Sequence, residues 1–237
     1  MIRKNNAHRL FSSPENPYMR TILFRRTRLL QALCILITII LSGCLPQNDQ
    51  EQVTIGGQGW SGRNLDVDHY RNGDPVRHAR TEAEWHDAAS QEEGAWCWYE
   101  GSAGNGKVHA RLYNWYAVND PRGLAPEGWR IPSDSEWQQL VDALGGDAAA
   151  GGPLKKSESW VDHDGTAQDQ SGFDALPSGS RNCLGGFFAL GRDAFYWSST
   201  PSGEFEAWNR EISSRNTGVR RVSVNRSIGF SVRCVKN

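Results

Sequence analysis

Apolar residues are distributed along this chain in three ways, and each predicts something different. Residues 29–41 (LLQALCILITIIL) form one almost unbroken apolar run. From residue 53 onward apolar positions are dispersed, at helical spacing in two segments and alternating in several short ones. Between the second helical segment and Tyr196, about fifty residues carry little periodicity, and a stretch of that length in a compact domain is usually functional or packed by its own side chains. In the second helical segment Trp137, Leu140, Val141 and Leu144 fall at i, i+3, i+4 and i+7, so one face is buried. Ser133 and Glu136 open it with a capping-box pattern, and Gly145-Gly146 stop it. Thr81 and Glu84 repeat the device ahead of EWHDAASQEE. Asp134 and Glu136 therefore read as caps rather than catalysts.

Alternating segments predict strands at WCWY (96–99), LYNWYAV (112–118), FYWSS (195–199), AWNREI (207–212), VRRVSV (219–224) and GFSVRCV (229–235). Two helices, a small antiparallel sheet and a long loop region make an α+β fold. No repeat of 20–50 residues is present, and no second linker interrupts the chain after Val53.

The apolar run at 29–41 follows Arg20, Arg25, Arg26 and Arg28. Thirteen helical residues reach only about 20 Å against about 30 Å of hydrocarbon, so the run reads as the core of a signal peptide. Leu41-Ser42-Gly43-Cys44 resembles a bacterial lipobox, in which the Cys is acylated and becomes the mature N-terminus. Acylation by more than one chain anchors a protein stably in a membrane. An ordinary signal peptide with a chance Cys is the alternative, and Met19 is a second candidate start. This gives a signal peptide at 1–43, an acylated Cys44 with a polar tether to residue 52, and a domain from 53 to 237. Eight flexible tether residues reach about 16 Å. Leu45 rather than Asp after the Cys implies release to the outer membrane of the cell envelope.

Splitting the chain at Cys44 changes its charge. The whole chain carries a net of −1, whereas removing residues 1–43 leaves 19 basic and 26 acidic side chains, a net of −7. Such an acidic domain is a poor nucleic-acid binder. All ten Trp lie between Trp60 and Trp208.

The segments LYNWYAVNDPRGLAPEGWRIPSDSEWQQLVDALGG, GGPLKKS, SGFDALPSGSRN, FYWSST and GFSVRCVKN occur in one order. Together they resemble the Fibrobacter succinogenes major paralogous (FISUMP) domain, a family associated with exported, often lipid-anchored proteins. More distantly, WRIPSDSEW (129–137) is similar to a segment of formylglycine-generating, sulfatase-modifying proteins. That likeness implies a C-type-lectin-like fold whose long loop carries the ligand site.

Cys97, Cys183 and Cys234 remain after the anchor Cys, and three cysteines allow three pairings. Because lectin-like folds commonly tie down their last strand, the resemblance favours a Cys97–Cys234 bridge with Cys183 free; three buried thiols are the alternative. The reactive Cys pair of formylglycine-generating enzymes has no counterpart at comparable spacing, and the histidines pair with no nucleophile motif. Neither catalysis nor a cofactor is expected. The lectin calcium triplets are absent, and Trp208-Asn209-Arg210 puts a cation where an acid is needed. The Asp162, Asp164 and Asp169 loop reads as solvated, so no metal is expected. Trp160, flanked by Ser and Asp, is the tryptophan expected to face a ligand, with Arg181 and Arg210 as polar neighbours. The function expected is a lipid-anchored binding module for a polysaccharide or another surface protein. A purely structural envelope lipoprotein is the alternative, and a degenerate sulfatase-modifying-like enzyme comes third.

Overall fold

A computed structural model describes residues 51–161, 167–168 and 170–237. The expected signal peptide, Cys44, most of the expected tether, and Asp162, His163, Asp164 and Asp169 lie outside the described residues.

Both capping boxes form. Helix α1 (Glu82–Ser90) begins at Thr81, whose side chain accepts from the Glu84 N–H while the Glu84 carboxylate accepts from the Thr81 N–H. Among the described residues four further α-helices follow: α2 (Ala103–His109), α3 (Trp115–Val118), α4 (Asp134–Ala143) and α5 (Gly151–Leu154). Ser133 and Glu136 close the same reciprocal pair on α4. At its far end the Gly145 N–H donates to Asp142 O and the Gly146 N–H to Val141 O, at 3.2 and 2.9 Å. Both glycines have positive φ, 101° and 84°. These two bonds are the Schellman stop that the Gly-Gly pair supplies.

The strands are shorter and more scattered than one sheet. β1 (Gln52–Ile55), β2 (Gln58–Ser61), β12 (Val235–Lys236) and β6 (Trp129–Arg130) hydrogen-bond in that order. β11 (Val219–Asn225), β10 (Glu206–Ser213) and β9 (Asp193–Pro201) form the longest sheet. β3 (Arg77–His78), β4 (Ala95–Cys97) and β5 (Leu112–Tyr113) form a third, with β3 and β4 parallel. β7 (Ser178–Arg181) and β8 (Phe187–Leu190) make a hairpin. The fold is a mixed α+β arrangement of small, mainly antiparallel sheets.

Three expectations need correcting. The strand expected over 112–118 ends at Tyr113, because Asn114 caps α3: its Oδ1 accepts from Ala117 N and Ala95 N while its amide donates to Glu93 O. Residues 229–234 make isolated bridges, Gly229 to Arg181, Phe230 to Tyr113 and Ser231 to Tyr196, rather than one continuous strand. The third concerns the disulfide. Cys97, Cys183 and Cys234 are free thiols. Cys97 packs with Trp85, Ala88, Tyr99 and Leu112, whereas Cys234 belongs to a different apolar cluster with Leu65, Tyr113 and Val232.

The long loop region is packed by its own aromatics. Trp160 and Phe173 pack into one cluster with Trp60, Trp137 and Tyr196, beneath α4. The ring centroids of Trp60 and Trp137 are 4.8 Å apart and those of Trp137 and Phe173 5.8 Å. Aromatic pairs at such distances add about 1 kcal/mol each beyond the area they bury.

Candidate functional site: an aromatic cleft between β3, β4 and the β7–β8 hairpin

Where the third sheet meets the hairpin, a cleft of about 240 Å³ opens between His78, Ala79 and Arg80 on one side and Trp98, Gly101 and Phe187 on the other. Cys97 and Arg181 also line it. Each side chain is there for a local reason. The parallel pairing of β3 with β4 sets His78 opposite Trp96, and the two rings stack at 3.8 Å and 9°. Trp98 follows two residues after Trp96 and meets the His78 ring edge-on at 5.4 Å. Beyond Trp98 the chain leaves the strand through a 3-10 turn (Tyr99–Gly101), with Glu100 and Gly101 at φ of 53° and 65°. The Trp98 indole packs against Gly106 of α2, where an added Cβ would strike it.

Electrostatics keep the cleft aromatic and cationic. Burial, aided by Arg80 and Arg111, holds the His78 imidazole below its usual range, so at neutral pH it is an uncharged ring. The Arg111 guanidinium lies 4.2 Å over Trp96 and is neutralised by Asp66 and Asp68. Arg181 is 1% exposed and donates to three carbonyls: Gly185 O at 3.2 Å, Ala79 O at 2.9 Å and Thr81 O at 2.8 Å. It also lies 4.7 Å from the Trp85 ring and 5.0 Å from Phe187. Phe187 is held from behind by Tyr99, 5.0 Å away. Burial pushes the Cys97 thiol up to about 11, against the opposing effect of Arg181. A thiol held protonated is a weak nucleophile. The arrangement presents stacking faces and hydrogen-bond donors.

The residues singled out from sequence do not come together. Arg181 is in the cleft. Trp160 is buried, 4% exposed, with its indole N–H donating to Ala175 O at 3.2 Å. Its polar neighbours in sequence suggested exposure, but the loop folds back and uses the ring as filler. Arg210 is equally buried beneath the start of α4, where it pairs with Asp134 at 3.0 Å and donates to Gln138 Oε1. Sequence puts Trp98 on a strand and His78 among histidines paired with no motif, and marks neither of them, nor Phe187, as a site residue. The period-two spacing of Trp96 and Trp98 was the available signal, but nothing in sequence marks their partner on β3.

Two other groupings bring polar side chains together. His109 Nδ1 lies 3.3 Å from Ser178 Oγ, a pair that sequence did not reveal. Ser178 is fully buried, and its hydroxyl is also engaged by Asn64 Nδ2 and Leu176 O, so no substrate reaches it. On the open half of the longest sheet, Asp193, Phe195, Glu211 and Arg220 line a second hollow of about 360 Å³. Glu211 there is paired with Arg220 at 3.0 Å.

The model of the Fibrobacter succinogenes major domain matches residues 53–236. The chain belongs to that family. The match takes in every strand and helix described above except the first residue of β1. No curated protein and no solved structure matches the chain.

Proposed function

We propose that this domain is a non-catalytic binding module of C-type-lectin-like architecture, carried on an exported lipoprotein, and that it holds a glycan in the aromatic cleft. The observation that carries this reading is the wall formed by half-buried Trp98 and Phe187 around neutral His78. Aromatic faces with one side packed and one side open stack on the apolar faces of sugar rings, and donors around them bond hydroxyls. The hairpin that completes the cleft comes from the long loop region, where lectin-like folds place their ligands. Acylation at Cys44 and the short tether would hold the module near the outer membrane.

A glycan array probed with the full chain in non-ionic detergent tests the reading. Trp98→Ala should lose the signal, while Trp160→Ala, if it folds, should keep it relative to its folded fraction. An array on which the intact protein binds nothing, or binds equally well without Trp98, refutes the cleft as a sugar site. For the anchor, Cys44→Ala should move the protein from the detergent phase to the aqueous phase in cloud-point partitioning; retention in detergent refutes acylation. A protein partner is the second reading. It is favoured by Leu184 and Phe188, which are 74% and 54% exposed on the same hairpin.

A further inference from the structure

Sugars that stack on aromatic walls need not be charged, yet the charged lining of this cleft is all of one sign. Its two formally charged residues are Arg80 and Arg181, and no carboxylate lines it. Arg181 is fully buried and its charge meets only neutral groups: three carbonyl oxygens, which use three of its five N–H groups, the Trp85 and Phe187 rings, and the Cys97 thiol. Arg80 is exposed at the mouth and, among the described residues, forms no ion pair. Glu84 acts on Arg80 electrostatically without reaching ion-pair distance, and its Oε2 accepts from the Arg80 and Thr81 backbone N–H groups at the start of α1. Arg111, by contrast, is fully matched by Asp66 and Asp68. A buried cation without a counter-ion is costly, and a ligand that brings a negative charge relieves that cost.

We infer that the cleft selects an anionic sugar, one bearing a carboxylate or sulfate, seated between Arg80 and Arg181 with its ring face against Trp98. This rests on the glycan reading above and adds the charge of the ligand. The acidic balance of the whole domain does not oppose it. At physiological salt the screening length is about 8 Å, so the charges lining a cleft outweigh those across the domain. Arginine also suits the task, since its planar fork matches carboxylate and sulfate oxygens two at a time.

Affinity electrophoresis of the full chain in non-ionic detergent, through gels holding charge-matched pairs, tests this. The pairs are polygalacturonate with its methyl-esterified form, and dextran sulfate with dextran. At least one charged polymer should retard the protein at about tenfold lower concentration than its neutral partner, and added salt should erase the difference. Retardation by polygalacturonate alone identifies a carboxylate ligand, and by dextran sulfate alone a sulfate. Arg80→Glu should abolish the preference, whereas the same charge reversal at exposed Arg215, on the β10–β11 hairpin, should not. Equal retardation by charged and neutral partners overturns the inference and leaves the aromatic cleft standing. Equal losses from Arg80→Glu and Arg215→Glu also overturn it, because the attraction would then be diffuse. If none of the four polymers retards the protein the inference falls, and the array decides separately whether the glycan reading falls with it.

Discussion

Replacing Arg233 by Met should destabilise the domain by about 3 kcal/mol. Arg233 is completely buried. It donates to Asn64 Oδ1 at 2.9 Å, Ser61 O at 2.7 Å and Asp174 O at 2.9 Å, and its guanidinium lies 4.4 Å over Phe173. It therefore joins the end of β2 and the residues after it, the long loop region and the C-terminal segment at one point. Methionine fills a similar volume but leaves three acceptors without a donor. Two of those bonds are wholly buried, and an orphaned buried acceptor costs about 1–3 kcal/mol; the third is partly reached by water and counts for less. Loss of the contact with Phe173 adds about 1 kcal/mol. Against these, the variant no longer buries an unpaired cation, which returns part of the loss. The orphaned acceptors outweigh that relief, which leaves a net of about 3 kcal/mol. Arg233→Lys keeps the charge but reaches fewer acceptors, so it should fall between the two. Urea unfolding followed by tryptophan fluorescence, with linear extrapolation and an unchanged slope, measures both variants. A Met variant within about 0.5 kcal/mol of the parent would show instead that desolvation of the cation cancels its hydrogen bonds.

Ser133→Ala removes half of the α4 capping box and should cost about 1 kcal/mol, lowering Tm by about 2–4 °C in calorimetry, because one N-terminal amide loses its acceptor. Cys183, which is exposed, should react with a thiol reagent in the native protein. Cys97 and Cys234, held by burial near about 11 and about 12, should react only after unfolding, and detection of a 97–234 disulfide in purified protein would contradict the structure. Burial raises the Glu211 carboxyl above its ordinary 4.5, with Arg220 opposing. The folded state then holds that proton more tightly than the unfolded state, so the stability it confers is complete below the unfolded value and is lost as pH rises through the folded one. Glu211→Gln should accordingly be more stable than the parent at pH 7, with the advantage gone by about pH 4; an advantage independent of pH would refute the assignment.

Local signals in the sequence were reliable where a single turn of chain decides the outcome. Both capping boxes and the Gly145-Gly146 stop form as read, because each depends on residues three to five apart. The strands were less legible. Asn114 turns an alternating segment into a cap, and residues 229–234 pair with Arg181, Tyr113 and Tyr196, partners at least 35 residues away. The cleft was hidden for the same reason: His78 and Trp96 are eighteen positions apart and meet only through a two-residue parallel pairing. Trp160 illustrates the reverse error. Its neighbours are polar, but exposure is decided by Ala175, Lys155 and the surrounding aromatic cluster, none of which adjoins it in sequence.

The position of β12 bears on when this domain is able to become a domain. Val235 pairs with Trp60 on one side and with Arg130 on the other. Among the described residues the last strand is thus interior to the sheet that also holds the first two. During synthesis β2 and β6 have no bridge between them until residue 235 is in place, and closing loops of that length is slow. A chain built this way resists premature closure.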